Sequence, residues 1–216
     1  MEKEPTCVHT GLLIVFEGID RAGKSTQSKK LFDTFIKRGI PCVYKAFPDR
    51  TTPIGKVINS YLKGKEPIDD VAMHLLFSAN RWECYKEICS LLEQGTTVIL
   101  DRYAYSGVAY TAAKGYPIHW CKEADKGLLK PNIVFYMDVS TEIADKRTTE
   151  TGDEREIYEQ KAFQINVARA FTELKEQGWV LMDATQSQRK IAETICQIVI
   201  STLTDSAPFQ REHLWI

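Results

Sequence analysis

The chain alternates between short apolar, β-rich runs and longer stretches with helical punctuation. Five runs read as strands: Leu12–Phe16, Pro41–Phe47, Thr97–Asp101, Ile133–Val139 and Trp179–Asp183. The first, third and fourth are nearly continuous in apolar residues, the pattern of parallel strands covered on both faces. Helical stretches separate the runs. One starts at Lys24 and stops before Gly39, and another opens at Pro53 after Thr52. A long one extends from Asp69 to Gly95, a further one from about Glu156 to Gly178, and the last from about Ser187 to Leu203. Proline in a first turn and glycine just past a last turn are the expected helix boundaries. This alternation predicts an α/β fold with right-handed crossovers and ligands outside the carboxyl ends of the strands. Polar residues mark those ends: Glu17 and Asp20, Asp49 and Arg50, Asp101 and Arg102, Asp183 and Thr185.

Length and composition narrow the class without naming a function. The chain has 216 residues, 44% hydrophobic and 26% charged, which suits one compact domain with a sizeable core. Lys+Arg is 28 and Asp+Glu 29, so the net charge is −1 and no global field attracts nucleic acid or an anionic membrane. Phosphate handling, if present, must be local. The six cysteines, Cys7, Cys42, Cys84, Cys89, Cys121 and Cys196, form no C-x-x-C pair, and the four histidines are scattered. They read as thiols in a reducing compartment rather than as a zinc site. The start, MEKEPTCVHTG, looks like neither a signal nor a transit peptide, and no apolar run is long enough to span a bilayer. The expected compartment is the cytosol, with the nucleus as the alternative.

Directly after the first strand comes Gly18-Ile19-Asp20-Arg21-Ala22-Gly23-Lys24-Ser25. This fits G-x-x-x-x-G-K-[ST] between a strand and a helix, the context a phosphate-binding loop requires. Glycines let successive N–H groups converge on phosphate oxygens, and the helix N-terminus adds partial positive charge. Lys24 would reach the outer phosphates and Ser25 would offer a hydroxyl to Mg2+. Asp20 is unusual beside a polyanion and needs a hydroxyl or an arginine as partner. Arg21 reads either as an arginine finger in cis or as a solvent-facing loop residue.

Other segments suggest an acceptor site. Phe77 and Arg81 are four apart and share a helical face, suited to stacking on and hydrogen-bonding a nucleobase. The alternative is a core phenylalanine and an arginine reaching to the surface. After the third strand, Arg102, Ser106 and Tyr110 recur every four residues, and Gly107 would allow close backbone approach. Asp101 and Asp138 both end apolar runs, so periodicity does not choose which acid faces the metal. Arg50, Arg81 and Arg102 converge on the active edge of the predicted sheet, as a bound monophosphate would require. The polar segment from Arg147 to Glu159 reads as a lid or as an exposed interhelical loop.

Together these motifs resemble the thymidylate kinases of the eukaryotic and poxviral branch. The resemblance rests on Phe16–Gln27, Phe47-Pro48-Asp49-Arg50, Leu75–Glu83, Asp101–Tyr110, Leu129-Lys130-Pro131, Ile157-Tyr158-Glu159 and Leu214-Trp215, and covers nearly the whole chain. It implies a single P-loop kinase domain over residues 1–216, with a three-layer α/β/α fold, a five-stranded parallel sheet, a lid at about 147–157 and an acceptor-binding helical region at about 50–95. It implies ATP and dTMP as substrates, Mg2+ as cofactor and a homodimer that uses the Asp69–Gln94 region, with no nucleic-acid or membrane partner.

The same resemblance distributes roles. Gly18, Ala22, Gly23, Lys24, Ser25, Thr26 and Arg147 would bind ATP, with Arg147 packing on adenine. Ser25 and Asp101 would serve Mg2+. Asp20 would meet the 3′-hydroxyl of the acceptor sugar, and Arg21 would bridge the two phosphate groups. Arg50 and Arg102 would grip the acceptor monophosphate. Phe77 would stack on thymine and Arg81 would bind its O4. Ser106 and Gly107 would line the base, with Phe47 also in the acceptor site. Tyr110, with Tyr158 nearby, would crowd the 2′ position. Lys24, Arg21, Arg102 and Asp20 form the catalytic set. The lid departs from the family pattern: the spacing from Arg147 to Tyr158 is about three residues longer, and Thr-Gly-Asp replaces a Phe-Gly pair, which leaves Arg155 without a matched role.

Three other readings compete. A kinase of another monophosphate would share most of these motifs. A GTPase-like switch would need an N-K-x-D motif, which the chain lacks; its only D-x-x-G lies inside the phosphate loop. An inactive nucleotide-binding scaffold would not need the intact Lys24, Ser25, Arg21 and Asp101 set.

Overall fold

A computed structural model describes residues 11–151, 156–205 and 210–216 of the chain. Five strands, β1 (Leu13–Glu17), β2 (Cys42–Ala46), β3 (Thr97–Asp101), β4 (Ile133–Asp138) and β5 (Val180–Asp183), pair in parallel in the order β2-β3-β1-β4-β5. The three most apolar runs of the sequence are therefore the three central strands. Both faces of β1 and β3 are buried throughout, whereas β2 is half-buried along its length. Edge strands need less apolar side-chain area, and the mixed patterns of β2 and β5 follow from that.

Helices α1 (Lys24–Lys37), α2 (Pro53–Leu62), α3 (Asp70–Glu83), α4 (Tyr85–Glu93), α5 (Ala104–Ala112), α6 (Ile118–Glu123), α7 (Thr141–Thr151), α8 (Lys161–Leu174) and α9 (Gln188–Asp205) flank the sheet. The chain leaves β1 for one side of the sheet and returns to the other side at β4. The carboxyl end of β1 is thus a topological switch point, where α/β sheets bind ligands. Leu31 and Phe35 of α1 pack on the main core with the strands. Each such side chain contributes about 1.5–3 kcal/mol when fully buried. Ile58, Tyr61 and Leu62 of α2 and Met73 of α3 form a second, smaller core, against which Ile157 and Tyr158 pack.

Two helical boundaries differ from the sequence expectation. The stretch from Asp69 to Gly95 is not one helix: it breaks at Cys84, which caps the end of α3 and the start of α4. No proline or glycine marks that break. At the break Cys84 is buried, and Trp82 just before it donates its Nε1–H to the Ala124 carbonyl at 2.9 Å. The stretch from about Glu156 to Gly178 is helical only from Lys161 to Leu174. Residues 156–159 instead pair with the cleft described below. Arg155, the middle of the expected lid, Cys7 and His9 lie outside the described residues. Cys84, Cys89 and Cys121 are buried free thiols, and Cys42 and Cys196 are half-buried. Among the described residues no helix is long and apolar enough to cross a membrane.

Candidate active site

The loop between β1 and α1 wraps as its sequence requires. Gly18 has φ +138°, and a Cβ there would lie 2.8 Å from the Met137 carbonyl oxygen, so no other residue fits that turn. Helix α1 begins with no side-chain cap, which leaves its first N–H groups available to an anion. Lys24 is 4% exposed and donates from Nζ to the Ile19 carbonyl at 2.5 Å. Burial lowers its pKa to about 8, assisted by the nearby Arg102 charge and opposed by Asp20, Asp101 and Glu17.

Ser25 donates its hydroxyl to Asp101 Oδ2, which also accepts from the Tyr44 hydroxyl at 3.3 Å. The other oxygen, Asp101 Oδ1, is buried without a hydrogen-bond partner. A buried, unpartnered carboxylate oxygen beside a hydroxyl suits a hard, oxygen-seeking cation and its waters. Asp138 is exposed at the end of β4. Of the two acids that end apolar runs, Asp101 is the one that bonds to Ser25 and lines the cleft.

Arg102 sits in the left-handed region at φ +70° and turns its side chain toward the phosphate loop. Its Nη2 pairs with Asp20 Oδ1, and its Nη1 donates to Gly18 O at 3.3 Å and Ser106 Oγ at 3.1 Å. The guanidinium carbon lies 5.2 Å from the centroid of the Tyr110 ring. The four-residue recurrence does bring the three side chains together, but not as one helical face: only Ser106 and Tyr110 stand on α5, and Arg102 reaches them from the left-handed turn before it. Asp20 has the partner its position demands, and Gln164 of α8 holds its Oδ2 at 2.7 Å. Arg21 pairs with Glu159 at 3.4 Å. Arg147 holds the carbonyls of Arg21 at 3.0 Å and Ala184 at 2.7 Å.

On the other wall, Arg50 pairs with Glu156 at 2.7 Å and Asn59 at 2.9 Å. Phe77 is half-buried in the cleft. Arg81 does not reach the surface: it is 2% exposed and forks onto Asp125, with Nε–Oδ1 3.0 Å and Nη2–Oδ2 2.6 Å. Its guanidinium lies against α5, where a Cβ on Gly107 would come within 2.6 Å of Nη2. That contact explains a glycine in the middle of a helix. Tyr158 stacks on Phe163 at 5.2 Å and meets the edge of Tyr110 at 5.7 Å. Phe47 follows β2 and packs near Tyr103.

A single open cleft of about 870 Å³ gathers these groups. Every residue assigned to the site from the sequence lines it, from Asp20 through Thr26 to Arg147 and Tyr158, except Gly18, which shapes the turn behind it.

Comparison with known proteins decides the family. Residues 16–195 match the model of the family described as thymidylate kinase. The chain belongs to the thymidylate kinase family. It is similar to the thymidylate kinase of Dictyostelium discoideum, 46% identical over 199 residues that cover 91% of this chain and 88% of that one. The human thymidylate kinase is 45% identical over 86% of this chain and 88% of its own length. A solved thymidylate kinase from Candida albicans superposes with a TM-score of 0.83 and 35% identity, over 94% of this chain and 98% of that one.

Several side chains that build this thymidylate kinase-like site escaped sequence reasoning. Asp125 lies 44 residues from Arg81 in a loop without periodicity, yet it is fully buried and fixes that arginine. Asn80 ties the Asp49 backbone to α3 through bonds of 2.7 and 3.2 Å and so sets the Arg50 turn. His74 bridges the Thr111 hydroxyl at 2.9 Å and the Cys121 carbonyl at 3.0 Å, and burial lowers its pKa. Gln164 reaches the site from α8, and Glu17, marked in the sequence only as a polar strand end, bonds to the start of α5 from β1. One signal was available for Asp125: a buried arginine demands a carboxylate, although sequence alone does not say which.

Proposed function

We propose that this protein transfers the γ-phosphoryl group of ATP to dTMP, giving dTDP and ADP. One observation carries the reading: the Asp20–Arg102 pair joins the phosphate loop to the acceptor turn inside one cleft. Lys24 and the loop amides of Gly18, Ala22 and Gly23 hold the donor phosphates, with Ser25 and Thr26 at the start of α1. Arg147 flanks the adenine. Arg21 leaves Glu159 to neutralise charge between donor and acceptor. Arg102 and Arg50 exchange Asp20 and Glu156 for the acceptor phosphate. Phe77 stacks on the base, with Arg81 at its O4, Ser106 and Gly107 along its edge, and Phe47 at the entrance. Tyr110 and Tyr158 crowd the 2′ position against ribonucleotides.

Asp101 Oδ1 and the Ser25 hydroxyl fit Mg2+, which when bound to ATP neutralises phosphate charge. Among the described residues no group of three or more His, Cys, Asp or Glu side chains is placed for a metal, so the remaining ligands would be phosphates and water. The acceptor oxygen belongs to an ionised phosphate and needs no strong general base. Positioning and charge neutralisation carry the reaction.

The reading includes one kinase domain, a lid at about 147–157 and an acceptor-binding region at about 50–95. The satellite core of α2 and α3, separate from the main core, supports such a region as a unit. Exposed Leu75 and Trp82 on α3 support a homodimer through that helix, which light scattering at micromolar concentration tests. Free thiols support work in the cytosol. Steady-state rates with dTMP, dUMP, UMP and dGMP, at fixed ATP and Mg2+, test the function. The expected order places dTMP first and UMP far behind. Equal use of UMP contradicts the Tyr110 role, and a preference for dGMP contradicts the substrate assignment.

A further inference from the structure

Helix α5 starts without a side-chain cap of its own: Tyr103 at its N-cap makes no capping bond, so the first-turn N–H groups need an outside acceptor. Glu17, the last residue of β1, supplies it. Its side chain is fully buried. Oε1 accepts from the backbone N–H groups of Tyr103 at 2.9 Å and Ser106 at 3.1 Å. Oε2 accepts from the Ser106 hydroxyl at 2.5 Å. The same residue immediately precedes Gly18 in the chain. One carboxylate is therefore bonded to the start of α5 and continuous in backbone with the phosphate loop.

Arg102 is held between these two elements. Its N–H donates to Phe16 O at 3.0 Å, and its left-handed φ persists only because its neighbours over-determine it. A carboxylate this deep is expensive to bury. Burial pushes the Glu17 pKa up, while the Ser106 hydroxyl, Arg102 and the two amides pull it down. An apolar side chain would fill the same volume without that penalty, but it would not cap α5.

We propose that Glu17 is a positioning residue for phosphoryl transfer: it caps α5 from β1 and so fixes the Arg102 turn relative to the phosphate loop. The proposal rests on the reading of Arg102 as a ligand of the acceptor phosphate. Loss of Glu17 then misaligns acceptor and donor rather than emptying the ATP site.

The test is steady-state kinetics and thermal melting of the full chain carrying Glu17→Ala, Glu17→Asp, Glu17→Gln, Arg102→Ala or Val199→Ala. Val199 is buried in α9 and does not line the cleft. Glu17→Ala is expected to lower kcat at least about tenfold, with KM for ATP held within about twofold. Glu17→Asp keeps the charge but loses the reach, and is expected to lose at least about fivefold in kcat, which serves if the alanine variant does not fold. Glu17→Gln keeps an oxygen that accepts both N–H groups, and is expected to return to within about threefold of wild type. Val199→Ala is expected to melt earlier yet keep kcat at temperatures well below its transition, separating position from bulk stability. Folded Glu17→Ala or Glu17→Asp enzyme with kcat within about twofold of wild type overturns the proposal, as does a Gln variant no better than the Ala variant. If Arg102→Ala itself keeps kcat, the underlying reading of Arg102 fails. If Arg102→Ala is impaired while the Glu17 variants are not, this proposal alone fails.

Discussion

Asp20 of the phosphate loop and Arg102 of the turn after β3 are ion-paired inside the cleft, and Gln164 holds the second oxygen of Asp20 at 2.7 Å. The two sequence motifs are thus one structural unit. Under the proposed function, an acceptor phosphate that takes Arg102 would release Asp20 to accept a sugar hydroxyl. Wild-type enzyme should prefer dTMP over its 3′-deoxy analogue by about 10- to 100-fold in kcat/KM, the value of one hydrogen bond to a charged group at about 1.5–3 kcal/mol. Asp20→Asn should shrink that preference to about threefold or less. An Asn variant that keeps the full preference rules out the hydroxyl contact.

Arg21 is partly exposed and its ion pair with Glu159 spans 3.4 Å, so that pair adds little to stability. Under the proposed function its contribution would be to the reacting phosphates. Arg21→Ala should lower kcat by about 100-fold or more, with the melting temperature nearly unchanged. A rate within about twofold of wild type, under ~0.5 kcal/mol of barrier, rejects the arginine-finger role.

Lys24 gives a pH signature. Its pKa in the free protein is about 8, and phosphate binding restores the charged form. At pH 8 about half of the free protein must take up a proton on binding ATP. Affinity should therefore fall as pH rises through 8 and upward, and should be flat below about pH 7. Calorimetry in two buffers of different ionisation enthalpy reads this proton directly. Lys24→Arg, which stays charged, should abolish the uptake. Wild-type uptake near zero at pH 8 contradicts a depressed Lys24.

The Arg81–Asp125 pair is buried on both sides, 3% and 0% exposed. Removing one partner leaves an uncompensated charge. Asp125→Ala should cost about 3–5 kcal/mol of stability in denaturant unfolding, and KM for dTMP should rise in parallel. A loss below about 1 kcal/mol would mean that Arg81 finds water or another partner.

The sheet was legible in part because apolar content separates centre from edge: the three continuous runs became the central strands and the two mixed runs the edges, while the order among them was not read from the sequence. The phosphate loop was legible because consecutive residues build it. The grouping of Arg102, Ser106 and Tyr110 was legible from their spacing, although Arg102 stands in the turn before α5 and only the other two stand on the helix. The second partners were not. Asp125, Gln164, Asn80 and Glu17 each act across 31 or more residues of chain, and a polar residue in a loop, a helix or a strand end carries no sign of its distant partner. The break at Cys84 was hidden as well, because no proline or glycine stands there.

Phosphorus NMR of wild-type protein with ATP, Mg2+ and dTMP tests the central claim most directly. Signals of dTDP and ADP should grow together, one for one, with no inorganic phosphate, and UMP in place of dTMP should give little product. Inorganic phosphate appearing while dTMP remains unchanged, or UMP consumed as fast as dTMP, would contradict the account.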